Sequence, residues 1–139
     1  MVRLNLFSPE KLSDQHLIAE YNEILMLVSY IKNYPAQDNL PENYCLGKGH
    51  MRFFCNKTRY VKKRHELLKA EMKKRGFIAV KNIVLSDFSA KTINDWIPSE
   101  KDFDLIRKRI TEKLKLKPNF YRYYGKSKPT AFFIGLLKG

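Results

Sequence analysis

The sequence predicts an all-α fold, a compact three-helix single domain with irregular connectors and an aromatic, basic carboxy-terminal segment. Three observations predict it. Apolar residues recur at helical spacing in three separate stretches. Caps, glycines and prolines sit where those stretches begin and end. The chain has 139 residues, 44% of them hydrophobic, which suits one domain with one core.

The first helix is expected to start near Ser13, with Leu12 and Leu17 at the staple positions around that cap. Leu17, Tyr21, Ile24, Val28 and Ile31 then form one apolar stripe, and Pro35 ends the helix. His16, Glu20 and Glu23 follow one another on a neighbouring face, and Asn22 and Met26 share a third. Residues 34–56 read as irregular, punctuated by Pro35, Pro41, Gly47 and Gly49. Gly47-Lys48-Gly49-His50 lacks the strand-to-helix context of a phosphate loop and reads better as a tight turn.

A second helix is expected from about Lys57 to Arg75. Tyr60, Val61, Leu67, Leu68 and Met72 would face the core, with the lysines and arginines facing out and Gly76 closing the end. Residues 77–98 form a connector in which Trp96 packs. Ser99-Glu100-Lys101-Asp102 then resembles a capping box for a third helix. That helix carries the stripe Phe103, Ile106, Ile110 and Leu114, projects Arg109 and Lys113 from one face, and stops at Pro118. After it, Phe120, Tyr121, Tyr123 and Tyr124 interleave with Arg122 and Lys126. Such rings can stack on bases while cations hold phosphates, or the segment can pack on the helices, and alternation allows both.

The net charge is +13 and the pI about 9.8. Residues 57–75 hold nine Lys/Arg against two Glu, and residues 101–128 ten against three acids, so each segment is +7 and the rest is −1. Two basic segments on a near-neutral body suggest a nucleic-acid-facing surface, or else two solvated helix faces. Cys45 and Cys55 flank His50 without a fourth ligand, so free thiols are expected, with no metal and no cofactor. No apolar run approaches the roughly 18–20 residues of a membrane span. The amino terminus lacks the order of a secretory signal, so an intracellular protein without membrane contact is expected, and the oligomeric state stays open. One further nucleophile escapes a count of side chains. An α-amino group has a pKa of about 7.7–8.0 and is partly free base at neutral pH, so it can form a Schiff base with a sugar carbon. Spacing alone does not place Glu23 against it.

Taken together, the residues resemble a known family. They are Arg3-Leu4-Asn5-Leu6, Asp14-Gln15-His16-Leu17, Ala19-Glu20-Tyr21 with Glu23, Leu46-Gly47, Gly49-His50 and Phe53-Phe54. Arg64, Lys74-Arg75-Gly76-Phe77 and Tyr121-Arg122-Tyr123-Tyr124-Gly125-Lys126 complete the set. In order and spacing they resemble the phage-type pyrimidine-dimer DNA glycosylases with AP-lyase activity, the endonuclease V of UV repair. The resemblance implies a three-helix domain over residues 1–126, with the amino terminus threaded among the helices, and leaves residues 127–139 as an extension without an assigned role.

It also implies removal of Met1 and attack by the α-amine of Val2 on C1′ of a damaged nucleotide in duplex DNA. Glu23 would be the catalytic carboxylate. Arg3, Gln15, His16, Arg109, Lys113, Tyr121, Arg122 and Tyr123 would meet DNA, as would the positions of Asn22 and Met26. The phage prototype has threonine in place of Val2 and arginines in place of Asn22 and Met26. Losing those two cations keeps a second lesion specificity open, and the residues read without the family reach only a basic nucleic-acid-binding protein.

Overall fold

The computed structural model describes residues 2–33 and 39–138. Met1, the expected initiator, and Pro35, the expected end of the first helix, lie outside them. Five α-helices and one two-stranded ribbon follow in order: α1 (Asp14–Asn33), α2 (His50–Phe53), α3 (Thr58–Lys74), α4 (Glu100–Leu116), β1 (Arg122–Tyr123), β2 (Lys126–Ser127) and α5 (Thr130–Lys138). The all-α class holds, but three helices do not describe it. Residues 127–139 contain α5, which buries Phe133 and Leu137, while Arg107 of α4 donates to the Leu137 carbonyl at 2.9 Å. That apolar run is too brief to show a clear helical period.

The ends of α1 and α4 are set locally. The Ser13 hydroxyl accepts the His16 N–H at 3.1 Å, with Leu12 and Leu17 both buried around it. At α4, Ser99 and Asp102 exchange side-chain-to-backbone hydrogen bonds in a complete capping box. Gly76 follows α3 at φ +87°, where a side chain would be strained. The stripe expected on α1 is buried throughout, and Ile106, Ile110 and Leu114 of α4 are buried too.

Helix α3 departs from the expectation at Leu67 and Arg64, and Arg75 just after it also turns its side chain inward, onto Asp14 and Glu71. Leu67 is 56% exposed, whereas Arg64 is buried. The guanidinium faces inward because α1 supplies a matching carboxylate. Arg64 donates to both oxygens of Glu20 at 2.6 and 2.9 Å, and its third nitrogen donates to the Phe7 carbonyl. A bidentate, fully bonded pair is the form in which an arginine tolerates burial. The connector after α3 holds two 3₁₀ turns, and Trp96 packs against Tyr44, Phe53, Phe54 and Tyr60.

Residues 2–7 thread through this core as extended chain. Val2, Leu4, Leu6 and Phe7 are all buried. Polar groups fix the strand: the Leu4 N–H donates to His50 Nε2 at 2.9 Å, and Tyr44 donates its hydroxyl to the Leu4 carbonyl at 3.0 Å. His50 Nδ1 lies 2.9 Å from the Cys45 carbonyl, so the ring is neutral with its proton on Nδ1. Leu6 takes φ +63°, closing a tight turn in which the Phe7 N–H reaches the Asn5 carbonyl at 2.7 Å.

All three histidines are held neutral. Burial pushes His16 and His65 down to about 4, and also lowers His50. Their unfolded value is near 6.5, so the native state binds fewer protons between about pH 6.5 and 4. Stability is therefore full above pH 6.5 and falls as acid takes the pH down through about 4. His65 stacks on Tyr21, and neither of its ring nitrogens finds a partner at hydrogen-bonding geometry. The variant His65→Phe is expected to gain about 1 kcal/mol at pH 7 by removing those unsatisfied nitrogens. Its acid decline, followed by urea denaturation from pH 7 to 4, should be shallower than that of the wild type.

Candidate active site

The face of α1 beside its core stripe, the first residues of the chain and the outer edge of α4 enclose a cleft of about 430 Å³. Arg3, Gln15, His16, Glu23, Arg109, Lys113 and Tyr121 all line it, with Asn5, Ala19, Glu20, Ile110 and Phe120. Seven of the residues named from sequence are thus brought together from three elements and the tail.

Two carboxylates reach the cleft, and their surroundings separate them. Glu20 is 1% exposed with both oxygens held by Arg64. Glu23 accepts the Arg3 N–H at 2.9 Å. Consecutive Cα atoms are about 3.8 Å apart, so this bond also sets the Glu23 carboxylate beside the backbone of Val2. Burial raises the Glu23 carboxyl above its ordinary value, against the opposing pull of the Arg3 N–H bond.

Around it the wall is cationic. Burial, and then the Arg109 charge, lowers the Arg3 guanidinium from its usual value. After burial itself, Lys113 and Arg3 are what hold His16 neutral. Anions with several oxygens suit such a rim.

The tail closes the cleft, and α1 holds it there. Gln15 donates to the Phe120 carbonyl and accepts the Arg122 N–H, both at 2.9 Å. Asp14 accepts the N–H groups of Tyr124 and Gly125, and pairs with Arg75 at 2.9 Å. Tyr124 and Gly125 both have positive φ, the backbone of a tight two-residue hairpin. Tyr121 is thereby laid on His16, with ring centroids 4.8 Å apart, and Phe120 stands 48% exposed at the cleft edge.

The other expected contacts lie elsewhere. The Tyr123 ring covers the Arg75 guanidinium and its hydroxyl donates to the Glu10 carbonyl, so it serves the hairpin. Arg122 is exposed in the adjoining groove with Gln15 and Phe120. Asn22 and Met26 are exposed on α1 outside the cleft lining. The Gln15 amide makes a direct prediction. In Gln15→Ala the Arg122 amide should exchange its hydrogen at least about tenfold faster, matching a loss of about 1–2 kcal/mol. The Tyr124 and Gly125 amides, held by Asp14, should stay protected.

Sequence reasoning gave no role to the supports, although Asp14, His50 and Arg64 are among the residues that carry the resemblance. His50, Tyr44, Arg64 and Asp14 position the strand and the hairpin but touch no reacting group. Their signal was a set of polar residues inside apolar stretches, which spacing does not pair. No disulfide joins Cys45 and Cys55, and among the described residues no cluster of metal-ligating side chains exists and no helix is long and apolar enough to cross a membrane.

Residues 1–83 match the sequence model of a family described as pyrimidine dimer DNA glycosylase. The match takes in the threaded strand, α1, α2 and α3; α4 and the hairpin, which complete the cleft, follow it. It covers more than half of the 139 residues, and the chain belongs to the pyrimidine dimer DNA glycosylase family.

Proposed function

We propose that the protein is a bifunctional glycosylase and AP lyase that removes UV-induced pyrimidine dimers from duplex DNA through its own amino terminus. The observation that carries this reading is the Glu23 carboxylate, seated on the Arg3 N–H beside Val2 within a cationic cleft. With Met1 removed, the Val2 nitrogen becomes a free α-amine next to that carboxylate. The amine attacks C1′, the glycosidic bond breaks, and the base leaves with the bonding electrons and takes up a proton. Positive charge that builds on the sugar is stabilised by Glu23. The nitrogen then loses a proton and the C1′–O4′ bond opens, O4′ taking up a proton, which leaves a protonated imine at C1′. That imine acidifies C2′–H, a base removes the proton, and the 3′ phosphate leaves by β-elimination. The raised proton affinity of Glu23 suits it to that transfer. Arg3, Arg109 and Lys113 hold phosphates, and Phe120 and Tyr121 offer rings to unstacked bases. No metal or cofactor takes part, and the enzyme acts as a monomer on DNA inside the cell.

A duplex carrying one thymine dimer tests this. Cleavage should leave a 3′ unsaturated sugar, and kcat/KM should fall steeply between 50 and 200 mM salt. Cleavage that is insensitive to salt would remove the role given to the cationic rim.

A second reading keeps the chemistry and changes the lesion. Its support is the cation-free outer face of α1, where Met26 is 59% exposed beside Asn22. A panel of duplexes with other damaged bases separates the two.

A further inference from the structure

Helix α3 uses one side for the core and the other for charge. Val61, Arg64, His65, Leu68, Glu71 and Met72 are buried toward α1. At 100° per residue the opposite side carries Arg59, Lys62, Lys63, Lys73 and Lys74, with Lys69 at its margin. Glu66 and Asp95 are the acids that meet this face, pairing with Lys62 and Lys63, and Lys69 reaches Asn82. Arg59, Lys73 and Lys74 are exposed and form no ion pair among the described residues. Six cations against two acids leave this face at a net +4. The helix dipole favours Lys73 and Lys74 at the carboxy-terminal end. It disfavours Arg59, which sits in the first turn.

This face is turned away from the cleft. On α1, the side chains that engage α3 and the Arg75 after it are Asp14, Glu20 and Tyr21, and those that line the cleft are Gln15, His16, Ala19 and Glu23, with Glu20 at the boundary shared by both. The two sets are centred well over a right angle apart around α1, and α3 lies beyond the first. A duplex in the cleft therefore leaves the α3 cations free. From Arg59 to Lys74 the helix rises about 22 Å, the axial length of about six phosphates on one strand.

We propose that the outer face of α3 is a second site for the sugar-phosphate backbone of duplex DNA, separate from the cleft, through which the protein passes directly from one segment to another. This rests on the duplex-DNA reading of the cleft. Duplex DNA is favoured over an acidic protein because the cations run as one stripe along a straight helix, matching an extended, regularly charged rod.

The test is dissociation of the full-length protein from a fluorescent, undamaged duplex into increasing unlabelled duplex. Direct transfer makes the wild-type dissociation rate rise with competitor, by about threefold or more over a range that saturates the second site. The triple substitution Arg59→Gln, Lys73→Gln, Lys74→Gln should make the rate independent of competitor, with the initial affinity and the cleavage of a short dimer duplex retained. A wild-type rate independent of competitor overturns the proposal, as does a variant that keeps the dependence. Polyglutamate that accelerates dissociation as well as duplex at equal charge makes the face an acidic-protein site and overturns it too. Wild-type protein that transfers between duplexes but cleaves no lesion fails the proposed enzyme and leaves the second site standing. Protein that does not bind the duplex at all removes both.

Discussion

Glu23→Gln is expected to lower kcat on a dimer-bearing duplex by about 10²–10⁴, while binding of the same duplex stays equal or tightens slightly. The amide oxygen can still accept the Arg3 N–H, so the strand keeps its place. What is lost is a negative charge beside the developing cation and a group able to take up a proton. Removing that charge from a rim made of Arg3, Arg109 and Lys113 also removes one repulsion toward phosphate. A drop in kcat without weaker binding distinguishes a reacting group from a binding one. Glu20, equally close in sequence to the stripe, answers differently. Both its oxygens are occupied by Arg64, so its loss should act on stability. A Glu23→Gln enzyme retaining cleavage within about tenfold of wild type would show that Glu23 is only a strand anchor.

Arg64→Met is expected to give the largest loss of stability, about 3–5 kcal/mol. The Glu20 carboxylate stays behind, buried and unpaired, and the Phe7 carbonyl loses a donor. For a chain of this size the melting temperature should fall by roughly 10–20 °C. The double variant Glu20→Leu, Arg64→Met should recover most of it, because paired apolar residues leave no charge uncompensated. A double variant as unstable as the single would mean that the Phe7 link carries the effect. The same link joins stability to chemistry, since Phe7 ends the strand that brings residue 2 to Glu23.

Most of the helical frame was legible, for identifiable reasons. Ser13 and Ser99 cap helices through contacts three residues away, so local sequence contains them. The stripes on α1 and α4 repeat for at least three turns, and their buried faces follow. The cleft residues on α1 were legible as a face, and Arg109 with Lys113 as a pair one turn apart. What spacing does not contain is which distant partner each polar residue finds. Arg64 read as a surface cation because its partner Glu20 is 44 residues away. Gln15 and Tyr123 are DNA contacts by the resemblance, and what spacing does not contain is that they also hold the hairpin, because their hydrogen bonds cross more than 100 residues, to the tail backbone and to Glu10. Leu67 read as core because helical spacing allows it, although among the described residues nothing covers that side of α3 and it stays exposed. Helix α5 was missed because nine residues give too short a period.

The central claim is that the α-amine of residue 2 is the nucleophile, and borohydride trapping tests it most directly. The purified protein is incubated with a duplex carrying one cyclobutane thymine dimer, reduced, digested and mapped. The account predicts a covalent adduct on the amino nitrogen of Val2, formed in the wild type and greatly reduced in Glu23→Gln. No adduct with either the dimer or an abasic site, or an adduct on a lysine side chain, would contradict it.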